Sequence, residues 1–259
     1  MDWMYALAGL IVGLAVGLTG VGGGSLMAPI LILIFGISPS TAVGTDLLFA
    51  ATTKAVGGFV HQREGGPDWQ IVKRLAMGSL PAAALTVWWL SSSNFQQIKG
   101  GTIMHVLGGV LILTAVATLF KNRIRGMATD ARTAAVRVHP WQGAATIGAG
   151  VILGFLVTLT SVGSGALGAA MLVALYPFRL SAKQLVGTDI IHAVPLTFIA
   201  GLGHLWLGNI DFGTLGMLLV GSIPGIIAGS LLAHRMSDNA VRPVLAAILV
   251  FAGYRLLVA

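Results

Sequence analysis

Leu18-Thr19-Gly20-Val21-Gly22-Gly23-Gly24-Ser25-Leu26 and Leu159-Thr160-Ser161-Val162-Gly163-Ser164-Gly165-Ala166-Leu167 are two copies of one motif, 141 residues apart. Each interrupts an apolar segment with glycine, the residue that most readily leaves helical geometry. Two later motifs also return, now 143 residues apart. Val43-Gly44-Thr45-Asp46 becomes Val186-Gly187-Thr188-Asp189, and Gly78-Ser79-Leu80-Pro81 becomes Gly221-Ser222-Ile223-Pro224. A duplicated chain with a broken apolar helix in each half is the pattern of a membrane transporter.

Composition points to the bilayer as solvent. Of the 259 residues, 56% are hydrophobic and 9% are charged, and the mean hydropathy is +0.91. In water such a chain would expose apolar patches far beyond the ordinary. The net charge of +7 does not indicate nucleic acid, because 12 of the 15 Lys and Arg fall in four short segments between apolar stretches. That distribution encodes membrane topology. With no cysteine, disulfides and thiolate metal sites are excluded. No metal or cofactor is expected. The N-terminus carries Asp2, lacks a basic leader region and runs into the first glycine motif, so it reads as mature helix rather than a signal peptide.

Apolar runs, measured against the roughly 20 residues that cross a bilayer, lie near 4–20, 24–36, 40–60, 70–90 and 102–120. The second half repeats them near 142–160, 165–176, 182–206, 213–233 and 240–258. The second member of each set is too short for an easy crossing and is expected to be a half-helix or a re-entrant segment.

Arg63, Lys73 and Arg74 share one connection; Lys121, Arg123, Arg125, Arg132 and Arg137 share the central one; Arg179 and Lys183, then Arg235 and Arg242, share two later ones. Placing all four in the cytoplasm makes the segments alternate without conflict and puts both termini outside the cell membrane. Each half then crosses an odd number of times, whether or not its short segment spans. The expected fold is an all-α integral membrane protein of two inverted-topology repeats, each of about five helical segments, with short broken or re-entrant helices after the glycine motifs. Residues 1–120 and 141–259 are the two repeats, and 121–140 is a basic cytoplasmic linker.

The glycine motif after the first apolar segment, the downstream Gly-Thr-Asp, the matching pair in the second half and the overall length together resemble the TauE/SafE family of sulfite exporters and related anion permeases. The resemblance covers essentially the whole chain. It implies transport of sulfite, sulfoacetate or another small sulfur-containing or organic anion. Ser161 and Ser164 replace Gly20 and Gly23 of the first copy, which leaves the substrate open.

The residues support anion chemistry independently. Gly22, Gly23 and Gly24, with Gly163 and Gly165 in the second copy, let the backbone expose amide groups at the start of a short helix, where an anion can be held. Thr19, Ser25, Thr160, Ser161 and Ser164 add hydroxyl donors. The competing reading is close helix packing through small residues. Asp46 and Asp189 are the only acidic residues well inside apolar segments, about two turns after helix starts at Ser38 and Ser181. A buried carboxylate is costly unless paired, hydrogen-bonded or protonated, so the pair serves either ion coupling or, as favoured here, bracing of a neighbouring broken helix. Thr45 and Thr188 beside them are equally ambiguous.

Lys54 and His192 break the symmetry, standing opposite Thr197 and Phe49. Lys54 attracts an anion or snorkels toward the helix end near His61. His192 is a pH-responsive ligand or a hydrogen-bonded core histidine. Asp68 and Asp211 precede Trp69 and Phe212 as expected N-caps and interface anchors. Pro81 and Pro224 are expected to kink their helices.

The mechanism this favours is export of a small anion by alternating access, without enzymatic chemistry. The expected partners are the anion and the lipid bilayer, with a homo-oligomer as an option and no nucleic acid. A passive anion channel and an uptake permease are the nearer alternatives. An intramembrane hydrolase built on Ser164 and a histidine is the remote one.

Overall fold

A computed structural model describes residues 2–19, 26–61, 66–92, 100–130, 141–177, 179–233 and 238–258. Every regular element among them is a helix. In chain order they are α1 (Asp2–Thr19), α2 (Met27–Leu33), α3 (Pro39–His61), α4 (Trp69–Ser92), α5 (Gly100–Asp130), α6 (Gln142–Thr160), α7 (Ala166–Leu175), α8 (Ala182–Trp206), α9 (Phe212–Ala233) and α10 (Asp238–Val258). Five of them, α4, α5, α6, α8 and α9, are long and apolar enough to cross a membrane. The protein is an all-α, multi-pass membrane protein.

The expected segments match these helices closely, including short α2 and α7. The difference is α5, which runs to Asp130 and so makes the first half of the expected linker helical. Hydropathy marks where apolar character stops, but a helix does not end where its side chains turn polar, and no proline or glycine pair intervenes before Asp130.

The helix starts are chemically specified. Ser181 and Gln184 form a reciprocal capping box on α8, and the Thr41 amide donates to Ser38 Oγ at the start of α3. Asp68 Oδ1 accepts from the amides of Gln70 and Ile71 at 3.1 and 3.2 Å, and Asp211 Oδ1 accepts from the Thr214 amide at 3.1 Å. Both aspartates therefore cap their helices, as expected. All six tryptophans lie within four residues of a helix end or at a cap, and each is exposed, placing them at interface depth.

The halves pack reciprocally. α1 lies along α9 and its counterpart α6 along α4; α3 faces α8 and α5 faces α10; short α2 touches α10 and short α7 touches α5. Exchanging the halves leaves this pattern unchanged. The seams need small residues because, with lipid as the alternative neighbour, close van der Waals approach rather than the hydrophobic effect holds membrane helices together. In the α1/α9 seam a Cβ on Gly9, Gly13 or Gly17 would strike the carbonyl of Leu218, Ser222 or Ile226, and one on Gly221 that of Ala6. The α4/α6 seam is built likewise, with Gly78 against Ile147 and Gly150 against Leu75.

Two equivalent hydrogen bonds cross between the halves. The Asp68 amide donates to Thr188 Oγ1 at 3.0 Å, and the Asp211 amide donates to Thr45 Oγ1 at 3.1 Å. Each ties the start of one half's fourth helix to the second turn of the other half's third. They place α3 against α8 and bring their polar residues together.

Candidate functional site

The second glycine motif folds as a break between α6 and α7. Ser161 ends α6 in the left-handed region at φ 58°, a conformation rare for a residue with a side chain. Thr160 braces the turn, its Oγ1 donating to the Leu156 carbonyl at 2.7 Å and accepting from the Val162 amide at 3.2 Å. Gly163 has φ +110°, which glycine alone adopts freely, and Gly165 precedes the first residue of α7. Residues 161–165 are all buried.

Opposite this break stands Lys54 of α3. Only 3% exposed, it does not snorkel to the helix end: its Nζ donates to Ser164 Oγ at 2.5 Å and to the Ser164 carbonyl at 3.4 Å. The ammonium lies within electrostatic reach of Asp46, Asp189 and His192. A residue of the first half thus meets the broken helix of the second.

The two aspartates differ in their hydrogen bonds. Asp189 sits on the first turn of α7, where its Oδ1 occupies the space that a side chain on Gly168 would need. Here the carboxyl lies at the positive end of a short helix. Asp46 is wholly buried, with the Ser161 hydroxyl and the Ala28 amide as neighbours, yet neither of its oxygens makes a well-formed hydrogen bond to a described residue. Ser161 Oγ is likewise buried and unpartnered among the described residues.

His192 is held through Nε2, 2.8 Å from Ser79 Oγ of α4, while its buried Nδ1 has no partner among the described residues. If Ser79 donates to Nε2, the hydrogen of the neutral ring lies on Nδ1. Ser79 escaped the sequence reading as a site residue. Its signal was the repeated Gly-Ser-X-Pro motif, since the equivalent Ser222 only returns a hydrogen bond to its own helix, at Leu219.

Among the expected site residues, the fold brings together Asp46, Lys54, Thr160, Ser161, Gly163, Ser164, Gly165, Asp189 and His192. Thr45 and Thr188 serve the crossing hydrogen bonds just described. Gly22, Gly23, Gly24 and Ser25 lie outside the described residues, as does the side chain of Thr19. His204 is separate, its Nε2 3.0 Å from the Thr158 carbonyl. The Ser164 hydroxyl meets Lys54, and no serine–histidine pair forms there.

A second polar cluster marks one end of the bundle. Arg179 donates to Asp68 at 2.8 Å and to Gln70 at 2.7 Å, and its guanidinium lies 5.6 Å from the Tyr176 ring centre. Arg74 reaches the Tyr176 hydroxyl at 3.4 Å. Two of the four basic segments therefore share one end of the molecule. An apolar groove between α5 and α10, lined by Leu119, Pro243, Val250, Phe251 and Tyr254 among others, has no residue in common with the buried charged site.

An ammonium, two hydroxyls and an imidazole are thus buried near a helix break at the junction of two similar halves. A family profile described as "Sulfite exporter TauE/SafE" matches residues 5–256. The chain is 40% identical to "Probable membrane transporter protein YjnA" of Bacillus subtilis over 99% of its own length and 100% of that protein's. It is 26% identical to "Probable membrane transporter protein YdhB" of the same organism, covering 90% and 91% of the two chains. A probable membrane transporter protein of Methanocaldococcus jannaschii is 27% identical over 95% and 91%. No solved structure is significantly similar to it. A buried polar site between reciprocal halves and a profile match over nearly the whole length agree, and the chain belongs to the TauE/SafE family of membrane transporters.

Proposed function

We propose that this transporter exports a small anion, sulfite or a related sulfur-containing or organosulfonate anion, by alternating access. The observation that supports this best is the buried Lys54 ammonium directed at Ser164 in the α6/α7 break, with Ser161 Oγ and His192 Nδ1 making no hydrogen bond to a described residue. Unpaired buried polar atoms cost about 1–3 kcal/mol each, and a small oxyanion would satisfy several at once. It needs many donors and little apolar contact. The site is buried from solvent, as the intermediate of an alternating cycle must be.

In this reading the two repeats are inverted in the inner membrane, with the basic segments cytoplasmic and both termini outside. An anion moving alone would then be driven outward by about 2.3 kcal/mol per charge per 100 mV of interior-negative potential.

The test is flux in proteoliposomes under imposed voltage, with sulfite, sulfoacetate, thiosulfate and simple carboxylates. A carrier shows saturable uptake and counterflow, whereas conductance that does not saturate would replace it with a channel. Loss of flux in Lys54→Met with retention in Ser164→Ala assigns the ammonium to binding and removes any nucleophilic use of that serine. A protein that moves none of these anions is not the exporter described.

A further inference from the structure

The charges of the site do not by themselves suit an anion. If all are ionised, Asp46 and Asp189 bring two negative charges against the one positive charge of Lys54, and a neutral His192 adds none. Every member is buried, so the charges are weakly screened and an arriving anion would add to an existing negative excess. One carboxylate has to be neutralised when the anion binds.

The structure distinguishes the two candidates. Both carboxyls lie near the first turn of a short helix, Asp189 at Gly168 of α7 and Asp46 at Ala28 of α2, and both lie within electrostatic reach of Lys54, so the difference is in their hydrogen bonds. Asp46 has two oxygens without a well-formed hydrogen bond to any described residue, and it faces the equally unpartnered Ser161 hydroxyl. Serine holds its left-handed conformation there at a cost of order 1 kcal/mol, where the first repeat has Gly20. Strain retained at a buried, unbonded hydroxyl indicates that the hydroxyl is used. Among the described residues the titratable group within electrostatic reach of Asp46 is Lys54 on its own helix, and Lys54 is itself within reach of Asp189 and His192 on α8. Residues 20–25 carry no titratable side chain.

We propose that Asp46 takes up a proton as the anion binds, so that the carrier moves an anion and H+ together. The proton enters on a carboxyl oxygen of Asp46, removes its negative charge beside Lys54 and Ser161, which hold the anion, and leaves to the opposite side with it. No covalent bond forms. A monoanion carried with a proton is electroneutral, so voltage no longer sets the direction; the anion and pH gradients do. The inference rests on the small-anion reading above and replaces its voltage-driven step.

The test uses purified full-length protein and two probes of constant charge near neutral pH, methanesulfonate and thiosulfate. Calorimetric titration in buffers of different ionisation heat counts the protons exchanged. Wild type should take up a proton for each anion bound, and Asp46→Asn should bind anion without proton uptake. In liposomes carrying an internal pH dye, an inward anion gradient should acidify the lumen with wild type only. Buffer-independent binding heat in wild type overturns the proposal, and needs no variant to fold. So does undiminished proton uptake in Asp46→Asn, or flux that requires Na+ instead of a pH gradient. If wild type neither binds nor exchanges any probe anion, the small-anion reading itself fails and the coupling fails with it.

Discussion

The α1/α9 seam and its counterpart α4/α6 share a plan but are filled differently. Gly9, Gly13 and Gly17 of α1 correspond to Gly150, Gly154 and Thr158 of α6, while Gly221, Gly225 and Gly229 of α9 correspond to Gly78, Ala82 and Thr86 of α4. In the first seam the glycine ladder continues along both helices, with Gly17 against Ile226 and Gly229 against Leu14. The second ends in two threonines, each bonded back to its own helix, Thr158 to Gly154 and Thr86 to Ala82. Thr158 offers its carbonyl to His204, and Gly154 packs on Ser79, the partner of His192. The seam with side chains is therefore the one that supports polar residues of the interior. Duplication supplied two equal frames, and divergence made one of them the support of buried polar residues.

That contrast can be broken by copying one seam into the other. Gly229→Thr, which places the residue of position 86 in the glycine ladder, would drive a side chain into the Leu14 carbonyl. The seam cannot yield without separating two backbones, so no monodisperse folded protein should be recovered in detergent. Gly216→Ala in the same helix meets nothing within 4 Å and should be neutral or more stable, by up to about 1 kcal/mol.

The unequal charges come next. Lys54→Met leaves two buried carboxylates without their cation, and the expected loss is about 3–5 kcal/mol, together with anion binding. Thermal unfolding and calorimetric titration measure the two separately. Retained binding would show that Lys54 only balances charge.

The crossing hydrogen bonds should respond as equals. Thr45→Val and Thr188→Val each leave one interhelical amide unpaired, at about 1–3 kcal/mol apiece. A clear difference between them would show that the reciprocal packing is not energetically symmetric.

The smallest effect is at the caps. Asp211→Ala should cost about 1 kcal/mol, and Asp68→Ala more, because it also releases Arg179. Hydrogen bonds from the Thr214 amide and hydroxyl hold the Asp211 carboxyl below the usual carboxylate range. Its folded form thus binds a proton less readily than the unfolded chain. The stabilisation is fully present above the ordinary carboxylate pKa and is lost as pH falls through the lower folded value. A thermal-shift series in acid, compared between wild type and Asp211→Ala, should converge at the lowest pH.

Most of the architecture is written in local chemistry. The ten segments follow from apolar run lengths, and α8 was legible to the residue because Ser181 and Gln184 form a cap whose signature is local. The bilayer allows few alternatives to a helix once a run is apolar. The duplication, both glycine breaks and the unequal residues Lys54 and His192 were also readable, since comparing two copies within one chain exposes what differs.

The partners of those residues were not readable. Whether Lys54 snorkels or turns inward depends on what lies 110 positions away at Ser164, and Thr45 could be placed in the site or the scaffold until the Asp211 amide was found on it. Asp46 and Asp189 look identical in sequence, with the same preceding Val-Gly-Thr, yet of the two only Asp46 has both oxygens without a hydrogen bond to a described residue. Segment, repeat and charge are properties of neighbours along the chain, where hydropathy and capping act over a few residues. Which buried group is satisfied and which is left bare depends on long-range packing, and only the folded arrangement of α3, α4, α6, α7 and α8 decided it.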